Sequence, residues 1–109
     1  MSLIRCLHIT STREALREMG KVGVNPTGMR LMEGKTIHLN LKVEGITPRA
    51  SNLLKQEMLS LGGDAAVDGR GLDCSTEWTD AILIGTHKQF DKLTSKLEQY
   101  PVFQDLLLT

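Results

Sequence analysis

The 109-residue chain has no excess of either charge, because 13 lysines and arginines balance 13 aspartates and glutamates. Without a positive excess to drive phosphate-backbone binding, nucleic acid is not expected as a partner. Cysteine is scarce: Cys6 and Cys74 lie far apart and outside any CxxC spacing, so neither a zinc knuckle nor a redox pair is indicated. A reduced, cytoplasmic location fits that usage. No stretch approaches the ~20 consecutive apolar residues that cross a bilayer, so no membrane partner is expected. Met1 to Leu3 lead directly into a candidate strand without the basic start, apolar stretch and cleavage site of a signal peptide, and secretion is not expected. GxGxxG, GxxxxGK[ST], HxxxH and HExxH patterns are also missing, which withdraws the ready-made nucleotide and zinc motifs.

What is present reads as one small globular domain over residues 1–101, followed by a tail, 102–109. Apolar residues at 40% and charged residues at 24% lie near the globular average, and 12.1 kDa suits a single core. The zero net charge hides an asymmetry. Residues 1–49 hold eight basic and four acidic groups, and 50–109 hold five basic and nine acidic, so the halves carry about +4 and −4. Mixed surface charge of this kind accompanies either internal neutralisation or a dipolar surface.

Periodicity predicts the order β-α-β-α-β-β-α. Leu3 to Ile9 is apolar on both faces, a first strand. Ser11 and Glu14 have capping-box spacing and start a short helix carrying Ala15, Leu16 and Met19 inward, with Gly20 and Gly23 opposing its extension. Asn25-Pro26-Thr27-Gly28 reads as a turn inside a loop from Val24 to Gly34, with one helical turn over Met29, Leu31 and Met32 as the alternative. Ile37, Leu39, Leu41 and Val43 then alternate with His38, Asn40 and Lys42, a strand with one solvated face. Thr47 and Pro48 open a helix with Ala50, Leu53, Leu54, Met58 and Leu61 at helical spacing, closed by Gly62-Gly63. Asp64 to Val67 is a short strand reached by a strand-helix-strand run, which favours a parallel crossover. Asp68 to Gly71 is turn or loop. The apolar run Ala81 to Ile84 predicts an inner strand covered on both faces and ended by Gly85. Thr86 and Gln89 repeat the capping-box spacing, and Phe90, Leu93, Leu97 and Tyr100 mark one face of a last helix up to Pro101. The fold class expected is α/β (α+β), a two- or three-layer sandwich of about three helices on a small mixed sheet.

Few residues invite chemistry. His8, His38 and His87 belong to different elements, so a metal site would need tertiary convergence, and none is predicted. His87 follows an inner strand in a first helical turn, where the helix dipole favours neutral imidazole. Asp64, Asp68, Asp73, Glu77 and Asp80 crowd the segment after the second long helix, but their spacing matches no EF-hand and Asp commonly serves turns. The better candidates for a ligand are Gly62-Gly63 and Gly85-Thr86-His87, glycine junctions that can cradle an anion. Lys55 and Gln56, polar residues beside the apolar stripe, are either a solvated flank or face a site, and Lys55 joins the ligand-binding candidates on the second reading. Trp78 stands in a polar loop, either a lid on the core or a contact for another domain.

The run Lys55-Gln56-Glu57-Met58-Leu59-Ser60-Leu61-Gly62-Gly63-Asp64-Ala65-Ala66-Val67 resembles the segment that precedes the catalytic barrel in long bacterial and archaeal dihydropteroate synthases. Cys74 to Gln89 is similar to the continuation of that region, and Arg5 to Met19 to its start. The resemblance implies folate (pterin) biosynthesis, in which the parent transferase joins p-aminobenzoate to a dihydropterin diphosphate and releases diphosphate with the help of Mg²⁺. The barrel's signature loop, of the type Asn-Val-Thr-Pro-Asp-Ser-Phe-Ser-Asp-Gly-Gly, does not occur, so no catalytic residue and no cofactor is carried over to this domain. The resemblance implies an N-terminal accessory domain whose partner is the catalytic barrel of the same polypeptide or a second copy of itself. The contact surface expected is Trp78 with Phe103, Leu106, Leu107 and Leu108 of the tail. A free-standing small-ligand or anion-binding domain and a protein-protein interaction module are the alternatives.

Overall fold

A computed structural model describes residues 2–69 and 77–101 and divides the chain into two compact units, residues 1–37 and 38–109. The first unit is helical. α1 (Thr12–Val22) starts where expected: the Ser11 hydroxyl accepts the Glu14 N–H at 3.2 Å. The Glu14 carboxylate, however, accepts from the N–H of Thr10 at 2.9 Å, one residue before the cap. The helix runs through Gly20 and closes at Gly23, whose N–H and that of Val24 cap the carbonyls of Gly20 and Met19.

Two expectations fail in this unit. Residues 3–9 form no strand, because an apolar stretch becomes one only with a ladder to pair with; Leu3 and Ile4 are exposed, while Leu7 and Ile9 line an apolar hollow with Ala15, Met19, Val24 and Met32. The expected loop over 24–34 contains α2 (Pro26–Met32) and then a 3₁₀ turn, Glu33–Lys35. The Asn25 side chain accepts the Gly28 N–H at 2.7 Å and Pro26 occupies the first helical position, so Asn-Pro here opens a helix instead of a turn.

The second unit has the expected α/β character. β1 (His38–Ile46), α3 (Pro48–Ser60), β2 (Asp64–Val67), β3 (Thr79–Thr86) and α4 (His87–Leu97) build a three-stranded sheet of order β1-β3-β2 with both helices on one face. β3 pairs antiparallel with both neighbours, so β1 and β2 run parallel to each other with β3 inserted between them. The strand-helix-strand run therefore joins parallel strands that do not touch, and every pairing in the sheet is antiparallel. The β1–β3 ladder is interrupted between Val43 and Ile46, where Gly45 takes φ +68° and donates its N–H to Asp80 Oδ1 at 3.0 Å.

Register explains the core. Opposite one another on the inner face lie Leu41, Leu83 and Ala65, then Val43, Ala81 and Val67. These meet Ala50, Leu54 and Met58 of α3 and Phe90, Leu93 and Leu97 of α4. Among the described residues of this unit nothing covers the outer face, contrary to the inner-strand expectation for Ala81 to Ile84: Ile82 and Ile84 are 40% and 44% exposed. A continuous apolar run marks the central strand of an open sheet as readily as a doubly covered one, because isoleucine also suits the pleated backbone itself. β3 also continues past Gly85 to Thr86, and α4 ends at Leu97, leaving Tyr100 beyond it.

Candidate functional site

The two glycine junctions converge. Gly62 and Gly63 at the end of α3 and Gly85 and Thr86 at the end of β3 line one concavity of about 400 Å³, together with His38, Asn40, Asp64 and Gln89. The route there is local. α3 closes with Gly62 at φ +93°, and the N–H groups of Gly62 and Gly63 cap the carbonyls of Leu59 and Met58. That turn delivers β2 to the edge of β3, in register from Asp64 opposite Ile84.

Close packing, more than an open cradle, accounts for Gly63 and Gly85. A Cβ on Gly63 would lie 2.6 Å from the Ile84 carbonyl oxygen and 2.7 Å from Met58 Cε; one on Gly85 would lie 2.8 Å from Gln89 Oε1 and 2.9 Å from Met58 Cε. Gln89 is the knot. Its Oε1 accepts the Thr86 N–H at 2.8 Å while the Thr86 hydroxyl accepts the Gln89 N–H, the capping box anticipated from spacing. Its Nε2 donates to the Leu61 carbonyl at 3.1 Å and so ties the start of α4 to the end of α3. That tertiary link, 28 residues long, was invisible in the sequence; only the capping-box spacing pointed to Gln89.

Lys55 and His87 do not line the concavity. Lys55 Nζ donates to the Ala65 carbonyl at 2.8 Å and to Asp64 Oδ1 at 3.2 Å, pinning α3 to β2. Asp64 in turn accepts the Ala65 N–H at 2.7 Å. That amide, and then the Lys55 ammonium, hold the Asp64 carboxyl below its ordinary range. His87 is exposed, with Nδ1 3.7 Å from Asp91 Oδ2 one turn along α4. An anion in the concavity would meet the Asp64 carboxylate with no lysine side chain in the lining, so neutral or polar ligands suit it better than phosphate.

Of the acidic segment, Asp80 is committed to the Gly45 amide and Asp73 lies outside the described residues. Trp78 is 60% exposed and is no lid on the core. Phe103, Leu106, Leu107 and Leu108 lie outside the described residues. α3 and α4 are further joined through Lys96, whose Nζ lies 3.0 Å from Glu57 Oε2 and 3.0 Å from Ser60 Oγ. No helix among the described residues is long and apolar enough to cross a membrane.

Two relatives resemble the chain. It is 33% identical over 93 residues, 85% of its length, to a protein of Halobacterium salinarum described as a probable bifunctional folylpolyglutamate synthase/dihydropteroate synthase. It is 37% identical over 67 residues, 62% of its length, to a protein of Haloferax volcanii of the same description. The chain spans only 11% and 7% of these relatives, so the likeness is to a short region of much longer proteins. No family model and no solved structure matches it.

Proposed function

We propose that this chain is a non-catalytic accessory domain of a dihydropteroate synthase-like protein of folate biosynthesis, serving a catalytic barrel elsewhere in the same polypeptide. The observation that carries the reading is the extent of the likeness. It covers 85% of this chain but about a tenth of a relative described as bifunctional, as expected if a whole small domain is shared, not a motif. Placement on the N-terminal side of the barrel rests on the sequence resemblance of Lys55 to Val67 and Cys74 to Gln89. A supporting role suits Lys55 and Gln89, which spend hydrogen bonds on joining α3 to β2 and α4 to α3. Mg²⁺ is implied by the resemblance for the barrel alone; among the described residues no three His, Cys, Asp or Glu side chains converge. No step is assigned to it in this domain.

Two measurements test the proposal. The purified chain, supplied with dihydropterin diphosphate and p-aminobenzoate, is expected to give no turnover, because a ~250-residue barrel cannot be built from a chain of this size. The Halobacterium protein lacking the matching region is expected to keep the condensation chemistry but lose thermal stability or its native assembly. Turnover by the chain alone would refute the proposal, as would loss of chemistry from a deletion variant whose fold and assembly are intact.

The convergence of Gly62, Gly63, Gly85 and Thr86 supports a second reading, a small-ligand-binding domain. An amide NMR titration with inorganic phosphate and with neutral pterin separates the two. Shifts confined to these four residues favour binding, and an unperturbed spectrum sinks it.

A further inference from the structure

Among the described residues β1 is a nine-residue edge strand with one neighbour, since the sheet order is β1-β3-β2. Beside it the inner layer is unfinished. A groove of about 550 Å³ runs between Leu41 and Val43 of β1 and Phe90, Leu93 and Leu97 of α4, reaching Leu83 in the core. Leu41, in the middle of the inner row, remains 42% exposed for that reason. An edge with free backbone groups and apolar side chains next to it is a template for another strand.

The sequence of β1 is complementary to itself. We propose that the edge of β1 pairs antiparallel with β1 of a second copy of this chain, about a two-fold axis at Leu41, giving a continuous six-stranded sheet. In that register Leu41 faces the partner's Leu41, and Leu39 faces the partner's Val43, all on the helix-covered side. On the open side Asn40 faces the partner's Lys42, and His38 faces the partner's Glu44. No like charges meet. Shifting the register by two residues in one direction sets Lys42 against the partner's Lys42, and in the other sets Lys42 against the partner's His38. A shift by one residue turns the apolar row to the open face. A register centred on Val43 would also align seven residues without like charge, but it draws in the irregular stretch between Val43 and Ile46 and sets the core residue Ile46 against Asn40 of the open face, so the register centred on Leu41 is the one that matches faces and avoids like charge. The second copy's Leu41 then seals the groove mouth that α4 leaves open, which an unrelated strand would do only by chance of sequence.

Sedimentation of the full chain over a range of concentrations, with fold monitored by circular dichroism, tests this. A dimer is expected. Leu41→Asp places two carboxylates on the axis and is expected to give a folded monomer. Because that variant could disturb the core, Glu44→Lys provides an independent reading: it sets lysine against His38 twice per dimer and should weaken Kd about tenfold, the scale of two cross-strand pairs lost. His38→Glu combined with Glu44→Lys restores unlike pairs in this register alone and should recover most of that loss. A monomer at every concentration overturns the proposal. So does a dimer indifferent to Leu41→Asp and Glu44→Lys, or a failure of the double variant to recover. A chain shortened after Pro101 that dimerises where the full chain does not would also overturn it, because the edge would then be occupied in cis.

Discussion

Replacing Gly63 by alanine distinguishes a glycine kept for packing from one kept for a ligand. The added methyl would sit 2.6 Å from the Ile84 carbonyl oxygen and 2.7 Å from Met58 Cε, where unstrained contacts between such atoms need about 3.5 Å. Neither neighbour yields easily. The Ile84 carbonyl belongs to the central strand, held on one side opposite Asn40 and on the other opposite Asp64. Met58 is fully buried against the core. Relief of close to 1 Å must come from parting β2 from β3 or from forcing Met58 into a filled interior, and overpacking of that kind costs about 1 to 3 kcal/mol. Two controls calibrate the value. At Gly85 the atoms nearest a Cβ belong to the side chains of Gln89, Met58 and Phe90, so Gly85→Ala should cost less, though it strains the capping box. At Gly69 no atom of the described residues lies within 4 Å, and Gly69→Ala should stay within about 0.5 kcal/mol. Urea unfolding of the three variants should rank them in the order Gly63, Gly85, Gly69. A Gly63→Ala variant within about 0.5 kcal/mol of the parent would refute the packing account and return the glycine to the ligand reading.

Other changes probe the same framework. Leu54, wholly buried between the sheet and both helices, should lose about 2 to 5 kcal/mol on replacement by alanine, and a loss under about 1 kcal/mol in denaturant titration would contradict the core assignment. Ser51 is buried on α3 with a hydroxyl that has no hydrogen-bond partner among the described residues, so Ser51→Ala should be neutral or stabilising by up to about 1 kcal/mol; a clear destabilisation would reveal a partner outside them. Because the folded-state pKa of Asp64 is lowered, its contribution is present above the ordinary value of 3.8 and is lost as pH falls through the lower folded value. An NMR titration should place its midpoint below 3.8, and Lys55→Met should raise it; a midpoint at or above 3.8 in the parent chain would dismiss the Lys55 and Ala65 contacts.

The parts of the second unit fixed by local chemistry are legible in the amino-acid sequence. Thr47 and Pro48, the apolar stripe from Ala50 to Met58, the closing Gly62, and the Thr86–Gln89 capping box each specify a helix end or face through bonds made within a few residues. Alternation along Leu39, Leu41 and Val43 likewise sets the face of β1. Even the helix at Pro26 has its signal in Asn25, although Asn-Pro serves turns and helix starts equally well and neighbouring apolar residues are too few to decide.

What the sequence could not show is which strands would meet. Residues 3–9 and 81–84 carry similar apolar runs, yet only the second found partners on both edges, because pairing depends on chain segments far apart and on the single sheet edge left for each. The same holds for the candidate site. Sequence alone determined that Gly62, Gly63, Gly85 and Thr86 sit at element junctions, since turn and cap chemistry is local. Only the tertiary structure brought those junctions together through Gln89, assigned Lys55 to Asp64 and Ala65, and left β1 at the sheet edge among the described residues, because each of these depends on distances between segments set by how β3 inserts between β1 and β2.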